Sequence, residues 1–531
     1  MTKDHSRIKI WTAVILLVTV CLAGCGGRAQ SAAPSAGDTA SGEAAGGLKE
    51  LEGILDDWDQ SARSASDGES LTDALGAVTG NEEEETAEKK PVSESRPAAE
   101  PEEEPAEAVF EEELPETSVY DDVSGTLHIL CRDESARELF AAYCPGYQKG
   151  SGAEDTVGKL TVRWTVVPDR DQYEQQLEAL ASGGAGQDDA ADLFLVDREE
   201  AGRLAASGLA APVGELGFTE EELSRQYDCM RAYISDEGGV QRGLGWQCEP
   251  GVLIYRRDIA KQVLGSDAPE KVQEAVSDWD AFRETAAKMK AAGYRMTATV
   301  FDPYGAYTGS ETNGWVRDGQ VAVDEQAEAW KEQAEQMLAD GQTTAGEMWG
   351  SEWTDGLYTG GNVFCYFGPD WMIRERMAAE EPGSVAAAGG WAVCEGPQSY
   401  LWDGSWFCAA KGSGAMEQAG AFLHRVLSPE VLEAAVQSET ICVNDKAVME
   451  QARGQEEPAL GGQQAAAVFG RAAARIRAGK PTYCGMVCAD EYQSVMTLYF
   501  QKILTYEEAV SFYEDAVTEQ FPELAEKEQT D

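Results

Sequence analysis

Residues 126–197 decide the fold, because three β-rich runs alternate there with two helical ones: TLHIL (126–130), ARELFAAY (136–143), KLTVRWTVV (159–167), YEQQLEALASG (173–183) and ADLFLVD (191–197). This alternation is typical of parallel strands covered by helices. In open sheets of that kind, ligands bind beyond the carboxyl ends of the strands. The stretch therefore predicts an α/β lobe with a ligand site at that edge.

The same alternation continues through the rest of the chain. The next predicted strands and helices are VLIYRRD (252–258), the aspartate-capped DWDAFRETAAKMKAAG (278–293), DEQAEAWKEQAEQMLADG (324–341), NVFCYF (362–367) and SWFCAAK (405–411). About 400 residues exceed what one hydrophobic core comfortably holds. We therefore expect residues 125–531 to form two α/β lobes joined by hinge segments, with a ligand cleft between them.

The first 25 residues have the layout of a secretion signal. A basic start precedes an apolar run from Ile10 to Ala23, which is shorter than the roughly 20 residues of a membrane-spanning helix. The run ends in LAGC (22–25), which resembles the bacterial lipobox. We predict a signal peptide at residues 1–24 and a lipidated Cys25 that anchors the chain to the outer face of the cell membrane. An uncleaved anchor with a chance cysteine is the alternative.

A second compositional segment, residues 26–124, is rich in Ala, Gly, Ser, Glu and Pro and contains acidic runs such as NEEEETAEKK. It cannot bury enough apolar surface to offset its ordering entropy, so we predict a disordered acidic stalk. The whole chain carries a formal net charge of −53. Nucleic acid and anionic lipid surfaces would repel so acidic a protein, which excludes them as partners.

Ten of the twelve cysteines fall within the predicted module. Their spacings are long and irregular, and disulfides stay open as a possibility. Cys365 and Cys408 sit in apolar strands where a small buried residue would serve. The chain has three histidines, none beside the close pair Cys484 and Cys488, which argues against zinc. We expect no metal and no cofactor.

Five segments carry a resemblance to a known family. In chain order they are ADLFLVDREEAGRLAASGLAAPV (191–213), GWQCEPGVLIYRRDIAKQVLG (245–265), DWDAF (278–282), YTGGNVFCYFGPDW (358–371) and DGSWFCAAKGSGAMEQAGAFLHRVLSPEVLEAAV (403–436). Together they resemble the extracellular solute-binding proteins of ABC importers, in the maltose-binding-protein-like branch that binds sugars. The resemblance spans about residues 125–525 in the family's order.

The resemblance implies a function as well as a fold. A protein of this type captures a small solute outside the cell and delivers it to the permease subunits of an ABC transporter. For this branch the solute is most often a neutral oligosaccharide, and another small polar solute is the alternative. The protein is then a binding protein and not an enzyme.

Sugars present hydroxyl edges and apolar ring faces, so their sites pair carboxylates and amides with flat aromatic rings. By the resemblance, Glu249 takes the place of a ligand-contacting carboxylate, with Trp246 and Gln247 beside it. The acid-Pro-Tyr triplet at 302–304 is similar to one in which the acid bonds sugar hydroxyls and the tyrosine stacks, which makes Asp302 and Tyr304 candidates. Trp371 follows Gly-Pro as the family's stacking tryptophan does. A turn-forming Asp302 and a core-filling Trp371 are the alternatives.

Further candidates lie at two strand ends. Asp197 and Glu199 follow the strand ADLFLVD, although Val196 stands where the family has an aromatic residue. Asp403 and Trp406 belong to DGSWFCAAK. A solvated helix start would explain Glu199 equally well, and inward packing would explain Trp406.

Two other functions remain open at the level of sequence. Paired carboxylates near aromatic residues are also what a glycosidase needs, and the sequence does not give their separation. A surface sensory or adhesive protein could use the same fold. The chain has no nucleophile elbow, metal cluster or dinucleotide loop, which favours solute binding over catalysis.

Overall fold

The computed structural model describes residues 122–181, 190–309, 313–377, 381–439, 441–452, 454–477, 479 and 482–525. All of them belong to one compact unit, Pro115–Asp531. The predicted signal peptide, Cys25 and the predicted stalk lie outside the described residues. Within the described ranges, none of the helices combines the length and apolar character that crossing a membrane requires.

In the part of the chain that the structure describes, twelve strands form one long sheet and one small hairpin. The long sheet has the order β2-β3-β4-β1-β5-β12-β6-β10-β7, with β11 also paired to β6. The strands are β1 Gly125–Cys131, β2 Tyr147–Gln148, β3 Glu154–Val157, β4 Leu160–Val166, β5 Leu193–Val196, β6 Leu244–Arg256, β7 Arg295–Thr297, β8 Val316–Arg317, β9 Gln320–Val321, β10 Val363–Gly368, β11 Trp391–Cys394 and β12 Tyr400–Ala409.

Eighteen α-helical segments of the described chain pack around these strands. They are α1 Ser135–Tyr143, α2 Arg170–Ala179, α3 Arg198–Ser207, α4 Glu220–Ser224, α5 Asp228–Tyr233, α6 Arg257–Leu264, α7 Pro269–Ala275, α8 Trp279–Ala291, α9 Tyr304–Thr308, α10 Glu325–Ala339, α11 Ser351–Asp355, α12 Asp370–Met372, α13 Met416–Val426, α14 Pro429–Glu439, α15 Lys446–Gln451, α16 Ala466–Arg475, α17 Tyr483–Phe500 and α18 Tyr506–Gln520.

The thirteen-residue strand β6 divides the sheet into two lobes. Its first part, Leu244–Gly251, pairs with β12 beside the β1, β4 and β5 strands, which we call lobe 1. Its second part, Val252–Arg256, pairs with β10 and β11, which with β7 form the sheet of lobe 2. We call the paired β6 and β12 the crossing ribbon, because both strands run from one lobe to the other. The prediction of two α/β lobes is confirmed.

The predicted strands and helices all appear, with one difference in strand direction. β1 pairs parallel to β4 and β5, as expected. The crossing ribbon is antiparallel to β5 and within itself, so the sheet is mixed and not purely parallel. The predicted aspartate cap of α8 is present, because Asp278 accepts a hydrogen bond from Ala281 N at 2.8 Å.

The cysteines of the module fill the core. Each of the ten between Cys131 and Cys488 is a free thiol, and all but Cys484 are buried. Cys365 and Cys408 are fully buried on β10 and β12, as expected for small apolar residues in a strand. In the described ranges, no three His, Cys, Asp or Glu side chains group closely enough to hold a metal ion.

Candidate functional site

One face of the crossing ribbon is polar and accessible to solvent. Successive side chains of a strand point to opposite faces. On β6, Gln247 and Glu249 are half-buried, whereas the residues between and beside them are buried. On β12, Asp403 pairs with Glu249 and Ser405 pairs with Gln247, so these four side chains share one face. We call this set the ribbon face.

Glu249 is held in place by a tryptophan. The Nε1–H of Trp371, at the start of α12, donates to Oε2 of Glu249 at 3.0 Å. Desolvation raises the pKa of Glu249 well above its ordinary value, and the nearby charges of Asp403 and Asp370 raise it further. Like charges directly opposite across a sheet destabilise it, so this carboxyl pair costs folding energy. Carboxyl groups with strongly perturbed pKa values concentrate at functional sites, which makes Glu249 a candidate.

Asp403 connects the ribbon face to the tip of β5. Its Oδ1 accepts a hydrogen bond from the backbone N–H of Arg198 at 3.0 Å. Desolvation raises the pKa of Asp403 to about 6, and Asp197 adds to the rise while Arg198 opposes it. Solvent reaches the side chain, yet the surrounding protein desolvates it, as occurs on the wall of a cleft.

The tip of β5 carries the other two predicted acids. Asp197 caps α3 by accepting a hydrogen bond from Glu200 N at 3.2 Å, and it forms an ion pair with Arg132 at 3.1 Å. Glu199 is half exposed and forms an ion pair with Arg170. Both acids therefore have partners within lobe 1 in this structure.

Three arginines at this edge were not predicted. Arg132 follows β1, Arg170 begins α2 after β4, and Arg198 begins α3 after β5. Because these strands are parallel, their carboxyl ends meet at one edge, where ligands bind in α/β sheets. Their position shortly after a predicted strand was the sequence signal that could have identified these arginines.

Lobe 2 includes α17, because Tyr492 of that helix packs with Tyr304 and Trp330 of the helices that follow β7, and α17 contributes a carboxylate near this edge. Asp490 on α17 is exposed, yet desolvation raises its pKa to about 6, while Arg198 lowers it. The same helix contacts lobe 1, since a Cβ on Gly202 of α3 would lie 2.8 Å from Met486 Cε. Arg198 and Asp490 thus bring charges of opposite sign from the two lobes into the cleft.

Aromatic rings line the cleft beside the ribbon face. Trp371 and Trp402 are half-buried, with ring centroids 6.4 Å apart and ring planes at 76°. Trp402 was not predicted, although it directly precedes Asp403 on β12. The ring centroid of Trp349 lies 6.3 Å from that of Trp371, and the two ring planes are only 26° apart. We call Trp402, Trp371 and Trp349 the aromatic row.

Two predicted tryptophans lie away from this face. Trp246 is 3% exposed and packs edge-on to Phe140 in the lobe 1 core. Trp406 is fully buried, and its Nε1–H donates to the Met230 carbonyl at 3.0 Å. Their neighbours in sequence, Gln247 and Ser405, point to the ribbon face, so strand alternation sends both tryptophans into the core.

Asp302 and Tyr304 are also buried and have internal partners. Oδ2 of Asp302 accepts from Thr299 N at 2.7 Å, and Oδ1 accepts from Trp353 Nε1 at 3.0 Å. Tyr304 donates its hydroxyl to the Ala489 carbonyl at 2.6 Å. The structure does not bring these two residues to the ribbon face. Asp302 is linked to the site indirectly, because the ring centroid of Trp353, which bonds Asp302, lies 4.5 Å from that of Trp349.

Chemically, this cleft is equipped for recognition of polar, ring-shaped molecules. The ribbon face offers two carboxylates and an amide to hydroxyl donors and acceptors, and the aromatic row offers flat apolar surface. Two lobes joined by crossing strands, with such groups on the crossing strands, define a ligand-capture protein of the bilobal binding class.

The comparisons with known proteins identify the family. The family model described as bacterial extracellular solute-binding protein matches residues 152–461, more than half of the chain. The chain belongs to this family and is a solute-binding protein of an ABC transporter. It therefore works outside the cytoplasmic membrane, and its family binds substrates without being a family of enzymes. Among curated proteins, no match was found.

Solved structures share the fold at low sequence identity. A structure described as an extracellular solute-binding protein of family 1 has a TM-score of 0.61 at 16% identity and covers 74% of this chain and 99% of its own. The sugar-binding protein MalE from Xanthomonas citri has a TM-score of 0.58 at 15% identity, covering 75% and 98%. The extracellular solute-binding protein from Staphylococcus aureus, in complex with maltose, has a TM-score of 0.53 at 13% identity, covering 76% and 100%.

Proposed function

We propose that this protein captures an oligosaccharide in the cleft and delivers it to the permease subunits of an ABC transporter. The observation that carries the proposal is the Glu249 carboxylate, held by Trp371 on an accessible face that crosses between the lobes. A sugar hydroxyl would donate to this carboxylate while an apolar ring face packs on the tryptophan. The described relatives support sugar as the ligand class, since the Staphylococcus aureus structure holds maltose.

The other candidate residues take different parts in this proposal. Gln247 and Asp403 bind the ligand together with Glu249, and Asp197 and Glu199 border the site through their arginine partners. Asp302 and Tyr304 support the site from behind, and Trp246 and Trp406 stabilise the lobe 1 core. A ligand that contacts both lobes would bind the closed form better and so shift the hinge equilibrium toward it.

Titration of the full chain with a panel of oligosaccharides by calorimetry tests the function. We expect micromolar binding, about 8 kcal/mol, to at least one sugar. Trp371→Ala should weaken that binding about tenfold or more, because it removes both a stacking face and the hydrogen bond that positions Glu249. The sugar should be recovered unhydrolysed after incubation.

Trp406→Phe provides the matched control. Trp406 is buried, so the smaller ring should lower the melting temperature while the dissociation constant changes by less than about threefold. The proposed function is wrong if the whole panel gives neither heat nor a thermal shift, or if a sugar is hydrolysed.

We also propose that the protein is held on the membrane by lipid at Cys25, with residues 26–124 as a spacer. The expected result is that mass spectrometry of the membrane fraction finds the chain beginning at a diacylglyceryl Cys25. Cys25→Ala should move the protein out of that fraction, because the lipid chains supply the membrane affinity. An intact Met1, or equal partitioning of both proteins, would contradict the anchor.

A further inference from the structure

Trp349 stands out among the large apolar residues because it is both exposed and conformationally strained. Its side chain is 36% exposed, and its backbone has φ 67°, in the left-handed region. A bulky residue rarely occupies that region, because its Cβ crowds the backbone. Strain of this kind persists only where the surrounding structure enforces it, and it concentrates at functional positions.

The surroundings of Trp349 fix its ring on three sides. Trp353 packs at 4.5 Å between ring centroids, and the Arg376 guanidinium lies 5.6 Å from the ring centroid. Trp353 is itself fixed by its hydrogen bond to the buried Asp302. The third neighbour is Trp371, whose ring is nearly parallel at 6.3 Å. The indole of Trp349 is therefore braced, while 36% of the residue stays exposed to solvent.

The aromatic row places Trp349 at one end. Trp402 and Trp371 lie beside the ribbon face, and Trp371 bonds Glu249. Trp349 is the next ring along the row from the one that bonds Glu249, with its ring centroid 6.3 Å from that of Trp371. A ligand that extends along the row beyond a sugar ring held at Glu249 and Trp371 would reach Trp349.

We propose that Trp349 is an outer stacking platform that makes affinity depend on the length of the bound oligosaccharide. This inference rests on the proposed function and deepens it. A first ring or pair of rings binds at Glu249 and Trp371, and a further ring stacks on Trp349. The bracing of the indole keeps the platform rigid, so that little side-chain freedom is lost when the ligand binds.

Calorimetric titration of the full chain with two sugar series tests this inference. The series are maltose to maltotetraose, and galactose to β-1,6-linked galactotriose. In the series that binds, Trp349→Ala should weaken the longest sugar about tenfold, the scale of one aromatic contact, and the shortest by less than twofold. Trp349→Tyr should restore most of the lost affinity, because it returns a flat ring.

Two further variants separate the ring from the strain. Trp349→Gly also lacks the ring but accepts φ 67° without a Cβ penalty, so it should match Trp349→Ala in affinity and exceed it in melting temperature. Tyr358→Ala is the matched control, because Tyr358 is 39% exposed but bonds Glu381 and not the aromatic row. It should leave the affinity for every length unchanged.

The outcomes distinguish the inference from the function on which it rests. An equal loss at every length, or no loss at any length, would overturn the role of Trp349 and leave oligosaccharide capture standing. If the wild-type chain binds only another sugar of the panel, the same variants are titrated with that sugar and its longer homologues. If it binds no sugar of the panel, both proposals fail. A length-dependent loss that Trp349→Tyr repairs supports the platform.

Discussion

Replacing Glu249 with glutamine is expected to weaken oligosaccharide binding about ten- to a hundredfold at a pH above the folded pKa of Glu249, while making the free protein at least as stable as the wild type. The loss corresponds to one hydrogen bond to a charged group, about 1.5–3 kcal/mol. Glutamine keeps an oxygen for the Trp371 Nε1–H, so the geometry of the site is retained. Stability should not fall, because the substitution removes a desolvated carboxylate that faces Asp403 and Asp370.

The effect of Glu249→Gln should depend on pH in a defined direction. The folded protein raises the pKa of Glu249, so the carboxyl is protonated over a wider range when folded than when unfolded. Its ionisation therefore costs stability as the pH rises from the unfolded to the folded pKa, and glutamine removes that cost. Below the folded pKa the wild type is itself neutral, so the two affinities should converge as the pH falls.

Calorimetry over a pH series, with thermal unfolding of the free proteins, measures both effects. Glu138→Gln is the control, because Glu138 is an exposed glutamate of α1 that pairs with Lys149. It should change neither affinity nor its pH dependence. A fall in melting temperature with unchanged affinity would show that Glu249 is a structural residue.

The ribbon face shows how far sequence reasoning reaches within a single strand. The resemblance pointed to Glu249 and its neighbours Trp246 and Gln247 as one group. Strand alternation, applied residue by residue, separates them, since Gln247 shares the face of Glu249 and Trp246 must point into the core. The same reasoning separates Asp403 from Trp406. Strand alternation therefore separates site residues from core residues, which the resemblance alone did not do.

Partners distant in the chain could not be obtained in this way. Asp490 faces Arg198 only because α17 returns from lobe 2 to the edge of lobe 1. Asp302 has the sequence context of a ligand contact, yet Trp353, fifty-one residues later, occupies its Oδ1. Such pairings follow from the packing of helices against the sheet, which the order of elements alone does not determine.

The lobes themselves were predictable because strand and helix patterns repeat along the chain. The full length of β6 was not predictable from the strand pattern, because VLIYRRD is only its lobe 2 end; its lobe 1 end was indicated only by the resemblance of residues 245–265 to the segment that crosses between lobes in the family. The lobe 1 end contains Glu249 and Pro250, which lack the apolar character by which strands are recognised. Polar residues interrupt the strand pattern at the place where the strand carries the site.

Asp302→Asn is expected to destabilise the protein by an amount that falls by about 3 kcal/mol between pH 5 and pH 8. Desolvation raises the pKa of Asp302 to about 7, and the side chain is 1% exposed. A carboxyl with a raised folded pKa stabilises the fold most at low pH and loses that contribution as the pH rises through the folded value. Between pH 5 and the folded pKa of about 7 lie two pH units, which correspond to about 2.7 kcal/mol. This is the loss of stability expected in the wild type and not in the variant.

Urea unfolding of both proteins at pH 5, 6, 7 and 8 gives the difference directly, and groups common to both cancel. Asp258→Asn is the control, because the pKa of Asp258 is shifted in the opposite direction. Desolvation raises that pKa, but the hydrogen bond and charge of Arg256 bring it below its ordinary value. That carboxyl stays ionised in both states from pH 5 to pH 8, so the cost of its replacement should be constant there. A constant cost for Asp302→Asn as well would mean that Asp302 is ionised throughout. A tenfold loss of affinity for the shortest sugar, which does not depend on Trp349, would instead return Asp302 to direct contact with the ligand, and its present partners, Thr299 and Trp353, would then have to release it on binding.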